Sequence, residues 1–226
     1  MSRVKQSFLN TYGFEIPNHF PALRTERDFN AYLFGYGEEG VLYEALRVAI
    51  VGAQNATPYG MQVAEMVAGW AAELGAVVVS GGARGCDAAA HRGAIEAGGK
   101  TVAVLGCGAD VIYPARQESL FCSIAENGAV ISEYEWGTQP SKHRFNERKR
   151  LIAALSDLVV VVEARYPSGT QNTVHHAIEL EVPVAAVPGS ILCLESAPPN
   201  KLITQGAYVI TSKQDLSAAL GIEERD

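Results

Sequence analysis

Apolar residues recur along this chain in two rhythms, and from residue 47 onward the rhythms alternate. Short runs of Val, Ile, Leu and Ala fall at 48–51, 76–80, 101–105, 129–132, 158–163, 184–187 and 208–211, each bounded by Gly, Pro or polar residues. They have the length of strands, and their unbroken apolar character fits strands covered on both faces. Between them the spacing becomes helical. Over 59–74, Met61, Ala64, Val67, Ala68, Ala71 and Leu74 form an i, i+3, i+4 stripe, with Thr57-Pro58 as its start signal. Further helices are expected over 86–97, 116–126, 146–155 and 171–180, with a last short one over 215–220. Gly98-Gly99 and Asn127-Gly128 stop the first two of these. The alternation predicts an α/β, Rossmann-like three-layer fold, a mostly parallel sheet covered by helices on both faces. Residues 1–46 contain Tyr32, Phe34, Gly35, Tyr36 and Gly37 without clear strand rhythm. They are expected to form a helical or irregular extension, a lid on the domain of 47–226.

Composition narrows the function classes. With 48% hydrophobic and 19% charged residues among 226, the chain has material for a core and is not globally disordered. Eighteen Lys and Arg against 25 Asp and Glu give a formal charge of −7, which excludes a generally basic nucleic-acid wrapper. Any polyanion must meet a local patch. The longest apolar run, 158–162, stops at Glu163, far below the roughly 20 residues of a membrane span. Lys5, Gln6, Asn10 and Thr11 interrupt the N-terminal stretch where a secretory signal would be continuously apolar, so no membrane and a cytoplasmic location are expected. Cys86, Cys107, Cys122 and Cys193 form no CxxC pair and are expected to be reduced, small core residues. His175-His176 lack the i, i+4 spacing of a zinc-binding helix, and no metal or cofactor is expected.

In an open parallel sheet, ligands gather beyond the carboxyl ends of the strands, so the loops after the strands are the places to search. The first, beginning Gly52-Ala53-Gln54, has small residues that let an anion approach the next helix start, although it is not a GxGxxG fingerprint. In the second, Ser80, Gly81, Gly82, Arg84, Gly85 and Asp87 form a candidate phosphate cradle. There Arg84 can reach a phosphate and Asp87 can cap the following helix. The loop from Gly106 to Pro114 adds a second glycine-lined surface. The stretch 141–150 holds Lys142, Arg144, Arg148, Lys149 and Arg150 against the single acid Glu147, with Phe145 as a stacking surface for a base. After 158–163, Ser168, Gly169, Thr170 and Thr173 surround a helix start whose N–H and hydroxyl groups can bind phosphate or serve as ordinary caps. No nucleophile elbow, Walker lysine or convincing acid pair appears, so binding is favoured over catalysis and no catalytic residue is assigned.

The segments VAIVGAQNATPYG, SGGARGCDAAAHRGAIEAGGKTVAVLGCG, RLIAALSDLVVVVEA, SGTQNT and VPVAAVPGS closely resemble the DNA-processing protein A (DprA/Smf) family, from about Arg47 to Thr211. The resemblance implies an extended Rossmann fold that binds single-stranded DNA, forms homodimers and hands the strand to a RecA-like recombinase during transformation, without metal or reaction. It maps DNA contacts onto Gly52-Ala53-Gln54, the Ser80 to Asp87 loop and Arg148-Lys149-Arg150. At 226 residues the core with a short lead is expected, without the helical or winged-helix modules that often flank it. Three positions depart from the family pattern. Gln54 stands for the arginine of Gly-Ser-Arg, Lys149 for the asparagine of Arg-Asn-Arg, and Thr170 to Thr173 make a small apolar loop polar. Glu147-Arg148-Lys149 and Ser168-Gly169-Thr170 are also partly similar to the lonely-guy (lysine-decarboxylase-like) nucleotide phosphoribohydrolases, which makes a nucleotide hydrolase or sensor the alternative. Thr173 stands where that family keeps its catalytic glutamate.

Overall fold

The computed structural model describes residues 13–15, 32–44, 46–167 and 169–222. Among these, nine strands form one sheet: β1 (Gly13–Glu15), β2 (Tyr32–Gly37), β3 (Arg47–Val51), β4 (Val77–Ser80), β5 (Thr101–Leu105), β6 (Gly128–Ser132), β7 (Leu158–Val161), β8 (Val184–Ala186) and β9 (Tyr208–Val209). Their spatial order is β1-β2-β6-β5-β4-β3-β7-β8-β9. From β6 across to β9 every pairing is parallel, whereas β1 with β2 and β2 with β6 pair antiparallel. The helices are α1 (Pro58–Glu73), α2 (Cys86–Glu96), α3 (Glu118–Glu126), α4 (Lys142–Ala154), α5 (Thr170–Glu179), α6 (Ala197–Thr204) and α7 (Lys213–Ala219). This is the mostly parallel α/β fold that the alternating pattern predicts.

Successive side chains of a strand point to opposite faces, so each central strand supplies two cores. Ala49, Val51, Val79 and Val104 pack with Leu151 and Leu155 at the end of α4 and with Val174 and Ala177 of α5. Val48, Ile50, Val78 and Val160 meet Val63, Val67 and Ala68 of α1, Ala90 and Ala94 of α2, and Leu216 of α7. Small residues let α1 and α2 approach closely: a Cβ on Gly93 would overlap the Glu65 carbonyl.

Four elements differ from the sequence reading, the first being the strand β1 in the stretch expected to be helical or irregular. Tyr32–Gly37 is not a lid but a strand that extends the sheet, pairing Phe34 with Ser132 and Gly37 with Ala129. Leu33 and Tyr36 are buried, while Gly35 and Gly37 hide the strand rhythm. Gly37 is required there, since its φ is +112° and a Cβ would overlap the Gly128 carbonyl. The expectation for residues 1–12 and 16–31 lies outside the described residues. α4 begins at Lys142 rather than 146, because Ser141 caps it by accepting from the Arg144 N–H at 3.3 Å. α6 was missed because Pro198 and Pro199 read as breakers; at a first turn proline starts a helix. Cys86 and Cys107 are buried as expected, but Cys193 is exposed.

From β3 the chain builds outward through β4, β5 and β6, then returns to β7 on the other side of β3. A crevice therefore opens beyond the carboxyl ends of β3 and β7, where helices leave in opposite directions.

Candidate functional site

A cleft of ≈ 770 Å³ occupies that switch point. Its walls are the loop after β3, the first two turns of α4, and the loop from β7 into α5. Thr170 ties two of them together, its Oγ1 donating to the Gly52 carbonyl at 3.3 Å.

The first loop holds an anion position that the chain fills itself. Thr57 caps α1 by accepting from Gly60 N–H at 3.1 Å. The buried Glu163 carboxylate accepts from Thr57 N–H at 3.0 Å and from Thr57 Oγ1 at 2.7 Å. A carboxylate thus sits at the positive end of α1 where a phosphate was expected. Gln54 remains exposed on the cleft wall.

The second loop also differs from the expected cradle. Ser80 is fully buried and its hydroxyl donates to the Ile50 carbonyl at 2.7 Å. Asp87 is buried and accepts from Ala83 N–H at 3.4 Å. Arg148 reaches in from α4, donates Nη1 to the carbonyls of Gly81 and, at 3.0 Å, Val104, and places Nη2 3.9 Å from Asp87 Oδ2. Burial raises the Asp87 pKa against the opposing pull of Arg148, and burial lowers that of Arg148 against the pull of Asp87. The loop therefore encloses an internal ion pair, with Gly82 accepting from Gln117 Nε2 at 2.9 Å. Gly85, at φ +78°, lies so close to Ala53 and Gln54 that a Cβ would overlap both carbonyls. Cys86 N–H donates to Ala53 at 3.1 Å, so the two loops are bound to each other. Arg84 stands exposed on the turn, outside the cleft lining.

The basic run divides according to the helical period. Lys142, Phe145, Asn146 and Lys149, at i, i+3, i+4 and i+7, share the cleft face. Arg144 turns away, donating to Gln139 O at 2.8 Å with its guanidinium 5.5 Å from the Tyr134 ring. Arg150 is paired with the buried Glu133 at 3.1 Å. Neither lines the cleft, and Arg148 does so only as part of the internal pair. Phe145 stacks at 5.3 Å and 32° on the half-exposed Tyr113, forming an aromatic shelf. Lys149 donates to Asn146 Oδ1 at 2.7 Å. Its pKa is lowered to about 8, chiefly by burial and further by Arg148, with Asp87 opposing.

Gly169, Thr170 and Thr173 line the facing wall, whereas Ser168 lies outside the described residues. Arg165, Tyr113 and Asn146 also line the cleft, and the sequence reading did not assign them. Arg165 was findable as a cation in a loop leaving a strand end; it also binds Glu195, with Nε donating to Oε1 at 2.7 Å. The Tyr113 contact joins a loop to helix α4, distant in sequence, and nothing local announces it. Chemically, Lys142, Lys149 and Arg165 offer cations to an anion and the aromatic shelf offers a face to a base. Among the described residues of the lining Asp87 is the only carboxylate, and Arg148 already faces it.

A family model described as DNA recombination-mediator protein A matches residues 12–221. Over 173 residues the chain is 44% identical to a putative DNA processing protein DprA of Mycobacterium tuberculosis, covering 76% of this chain and 44% of the relative. It is 43% identical over 173 residues to DNA processing protein DprA of Streptococcus pneumoniae, covering 76% and 61%. The chain thus spans less than two thirds of the length of these relatives. Among solved structures, DNA processing protein A of S. pneumoniae aligns with a TM-score of 0.85 at 38% identity, over 95% of this chain and 76% of that one. The Helicobacter pylori protein, solved for its single-stranded DNA binding mode, aligns with a TM-score of 0.83 at 33% identity, over 93% and 95%. Molybdenum cofactor carriers align at 18% identity with TM-scores of 0.54 and 0.56, a likeness of fold alone. On the extent of the family match and the identity of these relatives, the chain belongs to the DNA recombination-mediator protein A family.

Proposed function

We propose that the chain binds single-stranded DNA in the switch-point cleft, with phosphates held by Lys142, Lys149 and Arg165 and a base against Phe145 and Tyr113. The observation that carries this reading is the concentration of three cations and an aromatic shelf in one cleft of a chain with net charge −7. The single-stranded DNA binding for which the H. pylori relative was solved supports it. In this reading Gly52, Gln54, Gly169, Thr170 and Thr173 form the walls against which the strand lies, while Ser80, Gly81, Gly82, Gly85, Asp87 and Arg148 hold the walls in place. The wider role is presentation of the strand to a RecA-like recombinase during DNA uptake or recombination, a reading supported by the family's description as recombination mediators. Pairing of two copies belongs to the same reading. The short edge strand β9 with exposed Tyr208 and Val209, and Ile178 on α5, offer apolar surface for it. A cytoplasmic location fits this work on DNA. Among the described residues no helix is long and apolar enough to cross a membrane.

The test is fluorescence anisotropy of a labelled oligothymidylate with duplex DNA as competitor. Binding that an excess of duplex fails to displace, and that Phe145→Ala together with Lys142→Ala weakens by at least tenfold, is the expected result. Absence of binding at low salt overturns the reading.

A further inference from the structure

The depth of the cleft is uneven. Gln54, Lys142 and Arg165 stand exposed at its rim, whereas Val51, Ile152 and Thr173 at its floor are 4%, 2% and 2% exposed. Thr173 sits one turn inside α5, and its hydroxyl has no hydrogen-bond partner among the described residues. The side chain lines the cleft, so its hydroxyl is open to a partner that a ligand supplies. Above it, the Lys149 ammonium lies against Gly169, the residue that leads into the same helix: a Cβ on Gly169 would stand 2.7 Å from Lys149 Nζ. The positive end of a ten-residue helix, with no acid in its first turn, therefore faces an ammonium. Arg148 adds a third positive neighbour, and Asp87, the acid that faces it, is already engaged in the buried pair. Like charges gathered in this way are relieved by an anion placed between them.

The shape of the floor selects the anion. An internal phosphodiester carries one charge and must continue in both directions, which suits the open rim. A phosphate monoester carries about −1.5 to −2 charges near neutral pH and three acceptor oxygens, and it enters end-on. We propose that Lys149, Thr173 and the first turn of α5 form a receptor for a terminal phosphate monoester, either the phosphorylated end of a single strand or a free nucleoside monophosphate. For the strand-end source this rests on the strand-binding reading above; for the free nucleotide it does not.

The experiment compares oligothymidylates carrying a 5′-phosphate, a 3′-phosphate or neither, by competition anisotropy, and in parallel thymidine 5′-monophosphate against thymidine by calorimetry. The wild-type chain is expected to prefer one phosphorylated end over the unphosphorylated strand by about tenfold, the worth of one or two charge-assisted hydrogen bonds. Thr173→Val keeps the shape of the buried side chain, and Lys149→Met keeps the stem while removing the charge; each is expected to bring that ratio close to one. Thymidine monophosphate bound in preference to thymidine, with the preference lost in both variants but no end effect on oligonucleotides, assigns the site to free nucleotides. If no oligonucleotide binds while the monophosphate does, the strand-binding reading fails and the receptor stands. If neither a terminal phosphate nor the monophosphate gives any advantage, or if the advantage survives in both variants, the proposal is overturned.

Discussion

Lys149 and Arg148 are neighbours in sequence with different tasks, and the difference is burial. Arg148 donates to two backbone carbonyls and faces Asp87 inside the protein, so its removal strands a buried carboxylate and two acceptors. Arg148→Met is expected to destabilise the fold by about 3 kcal/mol or more, read as a lower urea midpoint with unchanged slope. A variant that binds no DNA but unfolds at the wild-type midpoint contradicts this structural role. Lys149 keeps its ammonium at the cleft, and its pKa of about 8 places the charge change within an accessible range. The charged form predominates below pH 8, so affinity for a phosphate-bearing ligand is full there and falls as pH rises through 8. Stability of the empty protein moves the other way. Between about pH 8 and the ordinary lysine range near 10.4 the unfolded chain holds a proton that the folded chain has released, so this group makes folding more favourable as pH rises. Binding isotherms from pH 7 to pH 9.5 on the wild type and Lys149→Met check the first statement, since the variant is expected to lose that pH dependence. The charges of 141–150 were legible in the sequence, but which cation faces the ligand was not: that division depends on the helix phase and on the carbonyls of Gly81, just after β4, and Val104 of β5.

At the scale of elements, close approach matters as much as apolar area. α1 and α2 meet where Gly93 passes the Glu65 carbonyl. Alanine is the better helix former by about 1 kcal/mol, yet here its methyl must push two helices apart. Gly93→Ala is therefore expected to lower stability by about 1–3 kcal/mol, measured by denaturant titration; a stabilised variant means that the helices separate freely. The six runs that became β3 to β8 were legible because unbroken Val, Ile and Ala segments have one stable home, a sheet covered on both faces, whereas the run at 208–211 gave only the exposed edge strand β9. β2 was not, because Gly35 and Gly37 remove the side chains that carry the rhythm, and its place is fixed by β6 nearly a hundred residues away. The glycine loops were legible as places of close approach but not as to what approaches them. Glycine admits a backbone, a carboxylate or a phosphate equally, and in the second loop the approaching groups are the chain's own Asp87 and Arg148.

At the scale of the whole molecule, a net charge of −7 repels DNA while the cleft attracts it, and salt weakens both effects unequally. Counterions released from a single strand give a log–log slope of roughly −0.7 for each phosphate neutralised. Lys142, Lys149 and Arg165 line the cleft, whereas Arg148 and Arg150 are held by partners inside the protein. Three contacts correspond to a slope of roughly −2, compared with roughly −3.5 if all five cations of 141–150 met phosphates. Arg165 shares its charge with Glu195, so its contribution falls at the low end. Titrations over a tenfold range of salt distinguish the two counts. Lys142→Ala is expected to flatten the slope by roughly 0.7, because this exposed rim cation has no carboxylate partner among the described residues. Arg150→Ala, which breaks the pair with Glu133 outside the cleft, is expected to leave the slope unchanged. A slope that flattens equally in both variants shows that the strand runs along the whole basic stretch and not through the cleft. The sequence alone favours that wider track, since all five cations appear there as equals; the fold separates them by turning α4 so that one face meets the switch-point crevice and the other meets Glu133 and Tyr134 just after β6.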